Sequence, residues 1–320
     1  MSDPDRQKVM EVWNTEENTS ARYGKGFHWV ESPQVLAYIQ RRMSGNPAVS
    51  WGQHFIDHYL QKKKGQYVGL SLGCGTGVFE MDLQKQGLFR RLDAFDIADA
   101  AIAQARASAA QQKLSINFQI SDINALQIEP EAYDVIVANS SLHHLSNLEH
   151  VVSEIHRGLR PGGFVAICEY VGPSQFQYPP EQIRIINELL ALLPEKYRKS
   201  VTKAGQLKPD VHPLTVDYMN QNDPSEAIRS AEIIPLLKRR FAVAEDHTFG
   251  GTVLHMLLQD IAGNFPPEDA IGDSLVKYLI YIEDLLLRHR VLASDFSYMV
   301  FEKQNYGRQI LQKLIGHSLV

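Results

Sequence analysis

Residues 67–80 read YVGLSLGCGTGVFE, an apolar run that breaks into glycines at 73, 75 and 77 and then resumes. Glycine lacks a Cβ, so it takes positive φ in a tight turn and lets another group approach the main chain closely. A strand that enters such a turn and leaves it as a helix is built for a nucleotide-like ligand. From residue 67 onward, short apolar or β-branched runs alternate with helical patterns, the signal for βαβ units and a parallel sheet.

The pattern predicts strands over 67–72, 92–96, 116–120, 134–138 and 163–169, with helices over 78–86, 98–112 and 148–159 between them. The last helix stops at Arg160-Pro161-Gly162-Gly163, where proline and glycine end helices. The alternation then lapses. Two short helical patterns, EQIRIINELLALL and PEKYRKSVTKAG, read as an insertion over 173–223. A helix over 225–239, entered at Asp223-Pro224-Ser225 and kinked at Pro235, precedes a strand over 241–246. A second helical insertion, over 253–261 and 273–291, precedes a last strand over 296–301. The expected organisation is a helical cap over 1–61, a core over 62–172, the insertion over 173–223, and the rest of the core over 224–320.

The chain has 320 residues, 44% hydrophobic and 22% charged, enough for a large core. No run approaches the roughly 18 consecutive apolar residues of a membrane span, and MSDPDRQKVMEVW is too polar for a signal peptide, so a cytoplasmic location is expected. The net charge of −5 and one short basic run, Lys62-Lys63-Lys64, argue against nucleic acid as a partner. Cys74 and Cys168 sit in apolar strand-like sequence and read as free thiols.

GxGxG with Val78 in the next key position departs from the GxGxxG of dinucleotide sites. LSLGCGTGVFE resembles instead the first motif of class I S-adenosylmethionine (SAM)-dependent methyltransferases. Further pieces follow in order: LDAFDIADAAIAQAR, FQISDINAL, YDVIVANSSLHHL and LEHVVSEIHRGLRPGGFVAICEY. The resemblance spans about residues 67–170. It implies an α/β fold with a Rossmann-like, mostly parallel seven-stranded sheet carrying helical N-terminal and inserted lid segments. It also implies SAM as cofactor, with S-adenosylhomocysteine as product. Gly73, Cys74, Gly75 and Gly77 would then cradle the cofactor, Asp96 and Ile97 the ribose, and Asp122 and Ile123 the adenine, with Asn139 and Ser140 beside the methionyl end. A carboxylate at 96 has a physical reason, since it can accept two hydrogen bonds from a vicinal diol. One position departs from the family: Ser71 stands where an acidic residue usually helps to hold the methionyl ammonium. Gly73 or Asn139 carbonyls, or Tyr23 or Trp29, are the expected substitutes.

Methyl transfer to a hydroxyl needs in-line positioning and a base for the departing proton. His143 and His144, just after the fourth strand, are the first candidates, with His144 favoured; His247 and His255 are rivals. Glu169, Tyr170 and His212 are candidates for holding the acceptor. No Asp-Asp or Asp-Asn pair follows the fourth strand, so no metal is expected. The apolar helical additions suit a small-molecule acceptor. N-methylation, a SAM-binding role without methyl transfer, and a homodimer all stay open.

Overall fold

The structure is a computed structural model and describes residues 3–14, 24–60 and 64–304; Tyr23, Lys62 and Lys63 lie outside them. One sheet organises the chain. Its strands are β1 (Tyr67–Leu72), β2 (Phe89–Asp96), β3 (Asn117–Ile120), β4 (Tyr133–Asn139), β5 (Leu159–Tyr170), β6 (Ala242–Gly250) and β7 (Phe296–Glu302). They lie in the order β3-β2-β1-β4-β5-β7-β6, the first five parallel and β7 antiparallel to both neighbours. This is the mostly parallel seven-stranded α/β sheet that the sequence implies.

Alternation along the strands sends side chains into two cores. Val135, Val137, Ala166, Tyr298 and Val300 join one, while Ile136, Ala138, Val165, Ile167, Met299 and Phe301 join the other. Each fully buried aliphatic side chain stabilises the fold by roughly 1.5–3 kcal/mol relative to exposure. The helices α1 (Asp3–Trp13), α2 (Pro33–Ser44) and α3 (Trp51–Tyr59) precede the sheet, and α4 (Val78–Lys85) and α5 (Asp99–Gln111) follow β1 and β2. Helix α6 (Leu148–Gly158) buries Leu148, Val151, Val152 and Ile155, a single stripe at helical spacing against the second core. The remaining helices are α7 (Pro180–Leu192), α8 (Val216–Asn222), α9 (Ile233–Arg240), α10 (Leu254–Leu258) and α11 (Ala270–Arg288). Among the described residues no helix is long and apolar enough to cross a membrane.

Three local expectations need correction. The pattern PEKYRKSVTKAG yields only a 3-10 turn, Glu195–Tyr197; beyond it Lys199 bridges to Leu207, and Ser200 Oγ donates to Asp260. The helix expected over 225–239 begins only at Ile233, with Pro235 in its first turn, where the missing N–H costs no helical bond. The stretch before it opens instead with Asp223 Oδ1 accepting from both the N–H and Oγ of Ser225, a local turn that competes with helix. Finally, β6 runs on to Gly250, so His247 lies within a strand.

Candidate active site

Strand β1 sits between β2 and β4, where the chain turns outward to opposite sides, and a crevice at such a point binds ligands. The turn after β1 is pinned from β2. Gly73 and Cys74 both donate their N–H to the Phe95 carbonyl, and Gly75 N–H donates to Asp96 Oδ2 at 2.7 Å. The three glycines have φ of +70°, +49° and +75°. Each meets a different constraint. A Cβ at Gly73 would run into Ser141, and one at Gly77 would stand 2.6 Å from the Phe118 ring. At Gly75 nothing lies within 4 Å of that place, so the main chain is open there to an incoming group.

Gly77→Ala should therefore destabilise the protein by about 2–4 kcal/mol, from left-handed backbone strain plus overpacking against Phe118. Denaturant unfolding measures this; an unchanged midpoint would contradict the turn geometry.

Asp96 closes the turn from the other side, accepting Ala98 N–H at 2.9 Å on Oδ1. Burial raises its pKa above the ordinary carboxylate value, while the N–H groups of Ala98, Gly75 and Ile97 pull the other way. Ile97 is half-buried beside it, and Ile123 is buried in the turn after β3. Asp122 accepts Asn124 N–H at 2.9 Å through Oδ1, capping that turn. Cys74 packs beneath the glycines with its thiol pKa pushed up by burial, then by the charges of Glu80 and Asp96, so it contributes main chain and not a thiolate.

Ser71 is not without a carboxyl. Its Oγ donates to Glu80 Oε1 at 2.6 Å, reaching a side chain that is 2% exposed and comes from α4 instead of β1. Glu80 Oε2 is buried with no hydrogen-bond partner, and burial pushes the carboxyl up to about 7. The signal was present as an acid at the third position of α4, but which face of the helix it takes is fixed only by packing.

After β4 the chain is held by Glu169. Its Oε1 accepts the N–H groups of Ser141 and Leu142 at 2.7 and 2.8 Å, and its Oε2 accepts from His143 Nδ1 at 2.7 Å. Ser141 Oγ donates to the Leu72 carbonyl, tying this loop to β1, and Ser140 takes φ +52° with its N–H on the Cys168 carbonyl. Asn139 ends β4 half-buried. Glu169 is thus a fully buried support, and Tyr170 likewise, with its hydroxyl donating to the Pro173 carbonyl. The polar atoms of both are engaged in these internal bonds.

Both histidines face Glu226, a residue that sequence reasoning missed. His143 Nε2 lies 3.7 Å from Glu226 Oε1, and His144 Nε2 lies 4.0 Å from Oε2. Ser225 Oγ sits 3.3 Å from His144 Nδ1, and the Trp13 ring meets His144 edge-on at 4.8 Å. Burial opposes charge on His143, but the bond and charge of Glu169, then the charges of Glu226 and Asp223, raise its pKa above the ordinary value. Burial, then the neighbouring His143, lowers that of His144 well below it. Burial pushes Glu226 up to about 7.

The other candidate histidines are not part of the His143–His144–Glu226 cluster. His212 is 78% exposed and pairs with Asp210 at the surface. His247 bonds Glu245 and stacks on Tyr298 along β6, because its strand continues where a bent loop was expected. His255 is ringed by Trp29, Tyr170, Phe176 and Phe296, and burial pushes its pKa down to about 3.

A sheet of this order, with its glycine turn facing a carboxylate at the end of β2, is the arrangement of class I SAM-dependent methyltransferases. More narrowly, residues 70–167 match the methyltransferase domain family. The chain is 27% identical over 178 residues to a malonyl-[acyl-carrier protein] O-methyltransferase of Paenibacillus sp. (strain JDR-2), covering 55% of this chain and 63% of that one. It is 31% identical over 100 residues to a ubiquinone biosynthesis O-methyltransferase of Coxiella burnetii (strain Dugway 5J108-111), covering 31% and 42%. It therefore spans less than two thirds of either relative. Phosphoethanolamine N-methyltransferase 2 of Haemonchus contortus, solved with SAM, shares the fold at a TM-score of 0.52 and 15% identity, covering 93% of this chain and 60% of that one. SAM is the cofactor of this superfamily, and the open main chain at Gly75 and the unpartnered Glu80 oxygen fit it.

Proposed function

We propose that this protein transfers a methyl group from SAM to a hydroxyl oxygen of a small-molecule acceptor, held against His143, His144 and Glu226. The observation that carries this reading is the convergence of those three groups just beyond β4, tied through Ser141 to the end of β1, where the glycine turn begins. Asp96 would take the ribose hydroxyls, Asp122 the adenine, and the Ser71–Glu80 pair the methionyl ammonium. The chain's share of the chemistry is to align the acceptor oxygen with the methyl carbon and to ease the loss of its proton. A hydroxyl must give up its proton as the bond forms, whereas a neutral amine needs no strong base, so two histidines and a carboxylate in one corner favour oxygen. The O-methyltransferase names of the two relatives support the same choice.

Melting the protein with SAM, S-adenosylhomocysteine and NAD tests the cofactor. At about 100 times its dissociation constant a ligand adds roughly 2.7 kcal/mol, several degrees in melting temperature. A shift with the first two and not with NAD is expected; no shift with either would overturn the reading. Once an acceptor is found by screening, His144→Ala should lower turnover about a hundredfold or more while SAM affinity stays within about threefold. An unchanged rate would remove the acceptor from this corner.

A further inference from the structure

We propose that His143, His144 and Glu226 bind a first-row divalent metal ion, with zinc the best match to their donor set. Glu169 can only accept, so His143 carries its hydrogen on Nδ1. Ser225 Oγ already donates to Asp223 Oδ1 at 2.7 Å, so towards His144 it accepts, and His144 also carries its hydrogen on Nδ1. Nε2 of each ring therefore faces the Glu226 carboxylate, 3.7 Å from Oε1 for His143 and 4.0 Å from Oε2 for His144, too far for a hydrogen bond. One potential ligand atom from each of the three groups lies within 4.8 Å of the others, and with both rings neutral and Glu226 ionised no hydrogen stands between them.

A cation relieves that arrangement. Bonds of about 2.1 Å in a tetrahedral shell put ligand atoms roughly 3.4 Å apart, so the three groups, now within 4.8 Å of one another, would draw together on the ion. Both histidines have the outer support that metal-bound imidazoles have, a carboxylate on one Nδ1 and a hydroxyl backed by Asp223 on the other. Two imidazoles and one carboxylate suit zinc, iron(II) or cobalt(II) and leave positions open. A third ligand from beyond β5 explains why the sequence after β4 gave no hint of it.

The site itself stands on this geometry; only its use rests on the methyl-transfer reading. An acceptor hydroxyl on the ion would lose its proton to water, and its oxygen would take the methyl carbon as the carbon–sulfur bond breaks with its electron pair left on sulfur. In that state Glu226 and the histidines are ligands and not bases.

Full-length protein stripped with EDTA should be titrated with Zn2+ by calorimetry and with Co2+ by visible absorption. One equivalent per chain, bound at micromolar concentration or tighter, is expected. Glu226→Gln and His144→Ala should each weaken it at least tenfold, and Ser225→Ala by about 10–100-fold through the lost support of His144. Circular dichroism confirms that each variant folds, and Glu226, a quarter exposed, is the safest of them. No uptake, or uptake unchanged in Glu226→Gln and His144→Ala, would overturn the site and leave a proton on His143 as the charge that satisfies Glu226. S-adenosylhomocysteine binding in the same samples separates the two readings: cofactor without metal defeats the metal site alone, and metal without cofactor defeats methyl transfer alone.

Discussion

An Asp96→Ala protein should bind S-adenosylhomocysteine at least a hundredfold more weakly than the natural chain. Two losses add. The carboxylate would no longer meet the ribose hydroxyls, and hydrogen bonds to a charged group contribute about 1.5–3 kcal/mol each. Gly75 and Ala98 would also lose the acceptors for their N–H groups, loosening the turn that the cofactor lies on. Calorimetry measures the loss, and Asp96→Asn divides it, since the amide keeps one acceptor oxygen and removes the charge. Normal affinity in the alanine protein would take Asp96 out of the ribose role.

Replacing Glu80 by glutamine should change how stability depends on pH. An ordinary glutamate titrates near 4.5, and burial raises Glu80 to about 7. Between those values the folded chain keeps a proton that the unfolded chain releases, so stability falls as pH rises through the window, and the loss is complete above it. A shift of this size corresponds to about 3 kcal/mol at most. Glutamine cannot ionise. From pH 4 to pH 8 the stability of Glu80→Gln relative to the natural protein should therefore rise by up to that amount, read from urea midpoints without ligand. Parallel pH profiles would mean that Glu80 titrates as an exposed acid. The same substitution should weaken SAM by about tenfold if Ser71 and Glu80 together stand in for the missing acid of β1; equal affinity would remove that role.

Much of the fold was legible because it depends on local rules. The apolar runs at 67–72 and 134–138 could only be buried strands, and the glycines at 73, 75 and 77 fixed the turn between β1 and α4. Asp96, the proposed ribose carboxylate, ends β2, where the resemblance implied an acid. The acceptor corner was half legible. His143 and His144 stood out by chemistry, but Glu226 lies in a segment whose Asp-Pro-Ser opening serves a helix cap and a local turn equally well. Ala227 at φ +51° and the bond from Ile228 N–H to the His143 carbonyl decide for the turn, and both depend on contacts across the molecule. His247 failed for a related reason: where a strand stops is set by its partner, and β7 pairs with β6 as far as Gly250.

The two histidines belong to the loop after β4, which Glu169 locks into the sheet, whereas Glu226 arrives on the stretch joining β5 to α9. That stretch contributes no strand to the sheet. The turn proposed to hold the cofactor and the residue that completes the proposed acceptor corner thus come from separate parts of the chain, and exchanging that one connecting segment would reshape the corner without disturbing a strand of the sheet.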